Sequence, residues 1–424
     1  MSQGKQKQAS LQKTLNLPQI VTLYVGAVVG SGILLIPGLA AEMAGPASLI
    51  AWLAMSVLVL PMAITMGLLS AKYPSSGGVS HFVRLAYGDR YGNIVGWFFL
   101  LSVPIGAPIL AVTGTRYLGI LLHWGDGQTF MLAGLLLLLV LLMNVFGLQL
   151  AGKIQTIVVS LIIVILLMAI ATSIPHFDSG NFTPFLPDGW LSVVQTAGLL
   201  FWCFIGWEAV THLSEEFVDP ERDAIRGVLW SAGLVALLYF GTAFMTVATH
   251  SYGEQLSSTS LSVMIQLSLG PFGGWVVAVT ALFICIATAN AYVSAASRIA
   301  LALAKQGIAP KWFGLIHGKY RTPIGGLLFL AICFAIVLTV LLTDTVSLAQ
   351  LLNLPNATFF ATYISGCLAG VRLLRENKSG LAAAWISLVV TICLYPFLGW
   401  SALYPLLVVV LVLVLDRKKT SAQR

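Results

Sequence analysis

Charge is what this sequence has least of. Only 9% of its 424 residues are Asp, Glu, Lys or Arg, against about a quarter in an ordinary soluble domain. Hydrophobic residues make up 58%. A chain so poor in charge cannot cover a water-facing surface, so its solvent is lipid. A net charge of +7 invites a nucleic-acid partner. The basic residues argue against one, because they lie between apolar runs and at the tail rather than in a block on a soluble domain. Cysteine is also scarce. Cys203, Cys285, Cys333, Cys367 and Cys393 all sit inside apolar runs. They have no metal-ligand spacing and no reason to pair as disulfides, so no metal site is expected. The His-Glu-x-x-His pair, the Gly-x-Ser-x-Gly elbow and the nucleotide-binding loop are all missing. No enzyme, cofactor or ATP-driven pump is expected.

What the sequence has is apolar runs of helical length. A hydrocarbon core of roughly 30 Å needs about 20 apolar residues per helix. On that measure the chain divides into twelve spans: 17–39, 48–71, 93–121, 129–147, 154–174, 191–213, 227–248, 273–304, 323–342, 348–373, 381–398 and 400–415. The polar N-terminus runs into a segment too long for a signal peptide, so 1–16 reads as a retained tail. Residues 416–424 form a second tail. With twelve spans, 20 of the 22 Lys and Arg residues fall on the side of the two termini. Arg298 lies near the same end of its span, and Arg116 faces the other side. This bias makes the termini cytoplasmic. The protein is expected to be multi-pass in the cytoplasmic membrane, with the lipid bilayer as a partner. Oligomeric state is not legible.

The most unusual stretch is Tyr24–Gly38, YVGAVVGSGILLIPG. Each mid-helix Gly costs about 1 kcal/mol relative to Ala, so Gly30-Ser31-Gly32 is where the first span would open. Opened backbone survives in a membrane only where protein or a cavity satisfies it. Gly26-x-x-x-Gly30 also fits a small-residue packing pattern. The sixth span, FWCFIGWEAVTHLSEEF, weighs on the side of a ligand site, with Gly206 between bulky residues, followed by Glu208 and Thr211. Spans 1–5 (17–174) and 6–10 (191–373) form two blocks of five. An odd number of spans gives the two blocks opposite orientations, and each begins with an interrupted helix. Inverted-repeat transporters build their sites from such a pair. Helices 11 and 12 (381–415) stand outside the repeats.

The chemistry follows from helix ends. Freed N–H groups at the first break attract an anion, and carbonyls at the second attract a cation. An α-amino acid carries both charges on one carbon. Gly26, Gly30, Ser31 and Gly32 are the candidates at the first break, and Trp202, Cys203, Ile205 and Gly206 at the second. Phe204 and Trp207 flank the second break, and ordinary packing is the alternative for all these aromatics. No lone Asp, Lys or Arg lies mid-span to pair with a charged side chain, so a neutral apolar substrate is favoured. Glu208 is the one acidic residue deep in a span, and it is a proton-coupling candidate or else a fixed hydrogen-bonding residue. Ser294 and Ser297 could ligate sodium, or could simply pack. In the loop 72–88, Val79–Tyr87 reads as a short amphipathic segment able to cap the inner mouth.

Three stretches carry a resemblance. GAVVGSGILLIP, YPSSGGVSHFVRLAYG and FIGWEAVTHLSEEFVDPERDAIRG occur in order, on the expected helices. With them the chain resembles the amino acid–polyamine–organocation transporters along nearly its whole length. Within that family it looks most like the bacterial exporters of L-methionine and branched-chain amino acids. The resemblance implies an all-α membrane protein with a five-plus-five inverted-repeat, LeuT-like fold, broken helices 1 and 6, and substrate backbone bound at those breaks. There is one departure. Many members carry a lysine midway along helix 5, where it stands in for sodium, but here Lys153 lies too near the cytoplasmic end. The expected function is secondary transport of neutral apolar amino acids by alternating access, as export, with a proton as counter-ion. Uptake, exchange or polyamine transport on the same fold is the alternative.

Overall fold

In a computed structural model, the structure describes residues 13–30, 32–253, 260–343 and 348–422. These are almost entirely helical. In chain order the helices are α1 (Leu17–Val28), α2 (Gly32–Ala44), α3 (Ser48–Lys72), α4 (Gly78–Tyr87), α5 (Asp89–Leu121), α6 (Asp126–Val145), α7 (Leu148–Ser173), α8 (Gly189–Leu200), α9 (Trp207–Thr211), α10 (Pro220–Ala248), α11 (Ser260–Leu269), α12 (Phe272–Lys305), α13 (Ile324–Leu342), α14 (Leu348–Leu373), α15 (Lys378–Leu394) and α16 (Tyr404–Ala422).

Local chemistry sets several of these ends. Asn16 caps α1, accepting from the Gln19 amide at 3.2 Å, while the Gln19 side chain accepts from the Asn16 amide at 3.1 Å. This reciprocal pair satisfies two orphan donors, and Pro18 fits the first turn, where no donor is needed. Asp219 caps α10 just ahead of Pro220, accepting from the Arg222 amide at 3.2 Å. Asn377 caps α15 through the Gly380 amide.

The first expected span is two helices, α1 ending at Val28 and α2 beginning at Gly32. The sixth is α8, a short 3-10 turn over Phe201–Phe204, and α9. The other expected spans fall on helices with shifted ends. Twelve separate crossings are not confirmed by helix length and composition among the described residues. Among the described residues, eight helices are long and apolar enough to cross a membrane. A ninth is added if the last pair, bent by 115°, counts as one span. The count falls because α1, with only 12 residues, does not count by itself, α14 is not among the eight, and the last two helices count at most once. Moreover, α2 and α3 run together through a 3-10 turn and count once. The connection 249–272 also holds a helix that its length does not suggest. This helix, α11, packs on α12, α2 and α7.

At the centre of the bundle α12 packs along α5, and α1 lies among α7, α10 and α12. The face carrying the N-terminal segment is closed. The Leu15 amide donates to the Glu216 carbonyl at 3.0 Å, and the Val218 amide donates to the Leu15 carbonyl at 2.9 Å. The 72–88 loop joins the same layer. The Ser76 amide donates to Glu215 Oε2 at 3.0 Å, and the Ser75 amide donates to Ser214 Oγ at 3.0 Å. Its amphipathic segment is α4, which buries Val79, Phe82, Val83 and Ala86.

Candidate functional site

The two breaks meet backbone to backbone. Gly206 has φ +139°, a conformation that suits glycine. A Cβ there would stand 2.8 Å from the Ala27 carbonyl, so the close approach itself requires glycine. Gly32 abuts the second break: a Cβ would meet Cys203 Sγ at 2.7 Å. Gly30 has room, with its nearest neighbour, Thr288 Oγ1, at 3.8 Å from a Cβ.

Opened carbonyls and amides need partners, and side chains supply them. The Tyr239 hydroxyl, on α10, lies 3.0 Å from the Val28 carbonyl and 3.0 Å from the Cys203 carbonyl. It thus spans both breaks, and its one proton serves one carbonyl at a time. Thr288 on α12 donates to the Gly26 carbonyl at 2.7 Å. At the second break the Gly206 amide donates to Glu208 Oε2 at 3.0 Å. Tyr292 donates to the other Glu208 oxygen at 3.2 Å, and Tyr363 also donates to this carboxylate. Glu208 therefore serves as the acceptor that holds the opened backbone.

Around the breaks lies a cavity of about 470 Å³. Its wall is mostly apolar: Ala27, Val28, Leu35 and Ile36; Val103, Ala107 and Leu110; Phe201, Trp202 and Ile205; Phe359 and Phe360. Gly30, Gly32, Cys203, Tyr239, Thr288 and Tyr292 complete the centre. No carboxylate and no basic group is among its described lining residues. All the α5 residues in the wall come from Val103 onward. The cavity therefore extends from the breaks toward the side away from the N-terminal segment. On the near side, Phe99 packs against Tyr292 and Phe359 at ring-centroid distances of 6.1 and 5.9 Å.

Of the residues expected from sequence, Gly30, Gly32, Trp202, Cys203 and Ile205 line this cavity. Ser31 lies outside the described residues. Gly206 stands behind the wall at the backbone crossing. Gly26 is not in the wall: a Cβ there would stand 2.0 Å from Gln155 Nε2, so the residue is a close-packing glycine facing α7. Phe204 packs on Trp52 and Tyr239, and Trp207 on Tyr24. Ser294 donates to Asn144 Oδ1 at 2.6 Å. Ser297 donates to the Ser294 carbonyl and accepts from Arg298. Both hydroxyls are thus committed to protein partners.

Sequence reasoning missed Tyr239, Tyr292, Tyr363 and Thr288. It also missed a buried amide chain. Gln155 Nε2 donates to the Ala287 carbonyl at 3.0 Å and reaches the Thr22 carbonyl at 3.3 Å, while its Oε1 accepts from Asn290 at 2.8 Å. An uncharged side chain thereby ties α7 to α1 and α12, while Lys153 is exposed. The available signal was a polar residue inside an apolar run, which is costly unless partnered.

A helical membrane protein with two broken helices enclosing a neutral, apolar cavity has the architecture of a transporter of small solutes. The chain belongs to the amino acid permease family, within the amino acid–polyamine–organocation superfamily: the family described as "Amino acid permease" matches residues 15–421. It is 39% identical over 395 residues to the "Uncharacterized amino acid permease YecA" of Bacillus subtilis (strain 168), covering 93% of each chain. It is 29% identical to the "L-methionine/branched-chain amino acid exporter YjeH" of Escherichia coli (strain K12), covering 97% of this chain and 98% of that one. It is 23% identical to the "Branched-chain amino acid permease BcaP" of Bacillus subtilis (strain 168), over 95% and 92%. The family and these relatives bear the names of transporters, not of enzymes.

Proposed function

We propose that the protein is a secondary transporter of neutral apolar amino acids, of the methionine, leucine, isoleucine and valine class. It works in the cytoplasmic membrane with both termini inside, and it exports its substrate by alternating access. One observation carries this reading: the two backbone breaks meet beside a cavity whose described wall is apolar and uncharged. The breaks offer opposite dipole ends to the carboxylate and ammonium of an amino acid. The wall then selects an apolar side chain. Charged substrates fit poorly, because no described lining residue can pair a second charge. This also weighs against a polyamine, since Glu208 is engaged with Gly206 and two tyrosines and does not line the wall. The names of the YjeH and BcaP relatives support the same substrate class, and that of YjeH supports export. The two blocks, 17–174 and 191–373, act as opposed repeats. A proton is the counter-ion, and Glu208 is its candidate carrier, linked to the cavity by Tyr292.

The test uses membrane vesicles of both orientations containing the protein. Labelled methionine, leucine and putrescine are followed with and without a pH gradient. Methionine and leucine should accumulate in inverted vesicles with an acidic interior, and putrescine should not. Accumulation only in right-side-out vesicles would make the protein an uptake system. Putrescine flux without leucine flux would overturn the substrate class.

A further inference from the structure

One polar group in the cavity wall has no use in an apolar site. Helix α14 turns Pro355, Asn356, Phe359 and Phe360 toward the cavity, at the i, i+1, i+4 and i+5 spacing of one helical face. The Asn356 Oδ1 atom is enclosed and meets no hydrogen-bond donor among the described residues. The hydroxyls of the same wall differ from it. Thr113, Tyr239, Thr288 and Tyr292 each donate to a protein oxygen. An enclosed, unmet amide oxygen is costly, and a ligand or water in the cavity is what can meet it.

We propose that Asn356 is a specificity-determining residue that pairs with a side-chain carboxamide, so that the transporter also accepts glutamine. This rests on the amino acid site proposed above and widens its substrate class. The chemistry favours a carboxamide over a hydroxyl or a charge. The Asn356 amide presents an acceptor and a donor side by side, and a carboxamide can meet both at once where a hydroxyl meets one. The rest of the wall supplies no counter-charge, which excludes a basic or acidic side chain. Length agrees as well, since glutamine is an unbranched side chain of methionine's length. A cavity of about 470 Å³ admits the longer neutral amino acids.

Purified protein in proteoliposomes gives the test. Labelled leucine and labelled glutamine are each followed in counterflow. Unlabelled glutamine and leucine are then titrated as competitors against the wild type and Asn356→Leu. Asn356→Ala replaces the leucine variant if that one does not insert. In the wild type both labels should exchange. The ratio of half-inhibitory concentrations, glutamine over leucine, should rise at least tenfold in the variant. An unmoved ratio would mean that Asn356 meets only water, and the proposal fails. Leucine exchange without glutamine exchange in the wild type overturns the proposal and leaves the apolar site standing. Glutamine exchange without leucine exchange keeps the Asn356 role and overturns the apolar reading. Exchange of neither overturns both.

Discussion

Arg298 donates through Nε to Glu216 Oε1 at 2.7 Å, and neither side chain is open to solvent. The pair joins α12 to the segment after α9. The Glu216 carbonyl in turn holds the N-terminal segment through the amides of Thr14 and Leu15. The pair lies on the side of the cavity that is closed. Breaking a buried pair by removing one partner strands a charge at a cost of about 3–5 kcal/mol. Glu216→Ala should therefore lower the detergent melting temperature clearly. Arg298→Met combined with Glu216→Leu should recover most of that loss, because the double change removes both charges. Equal melting temperatures for the single and double variants would show that the charges themselves do not matter.

The breaks make graded predictions for glycine. Gly30→Ala should transport near the wild-type rate, because a Cβ there has ordinary contacts only. Gly30→Leu should insert normally and lose transport, because its longer side chain would project into the cavity. Gly32→Ala should already impair flux, with Cys203 Sγ 2.7 Å from the new methyl, and Gly32→Leu should abolish it. Labelled leucine flux normalised to surface-inserted protein checks the series. Normal flux from Gly32→Leu would remove the first break from the site.

Tyr239→Phe deletes one oxygen and keeps the ring packed on Trp52. It leaves the Val28 and Cys203 carbonyls without their shared donor. An unmet buried acceptor costs about 1–3 kcal/mol, so flux should fall by about five- to a hundredfold with expression unchanged. A variant as active as the wild type would mean that water or substrate already serves those carbonyls.

Glu208→Gln separates the two roles of that residue. The amide keeps an oxygen that can accept from Gly206 but cannot ionise. If Glu208 carries the coupling proton, the variant should still exchange leucine for leucine across the membrane and lose accumulation driven by a pH gradient. Loss of both activities would make it a fixed acceptor that holds the break. Retention of both would place any coupling proton elsewhere.

The parts of the fold that were legible from sequence were those written in one short stretch. Gly30-Ser31-Gly32 interrupts an apolar run with three residues of low helix preference or small size, and the first span is in fact two helices there. Gly206 carries the same signal in the sixth span. The short amphipathic segment after Gly77-Gly78 shows in its own pattern, and it is α4. Partnerships across the chain were not legible. Tyr239 lies 211 residues from Val28 in sequence, and in the run LLYFGTAF it looks like any packing aromatic. Arg298 and Glu216 are 82 residues apart, and Arg298 drew notice only as a basic residue near a span end. That Gly26 lies outside the cavity wall was hidden for a related reason. Glycine that opens a helix and glycine that admits a neighbour look identical until Gln155 is seen above it.

The most direct measurement is counterflow with the purified protein in proteoliposomes loaded with unlabelled leucine. External labelled methionine should show a transient overshoot. That overshoot should vanish in Gly30→Leu, and external arginine or putrescine should leave it intact in the wild type. An overshoot with labelled arginine or putrescine, and none with methionine or leucine, would contradict a neutral amino acid site between the two breaks.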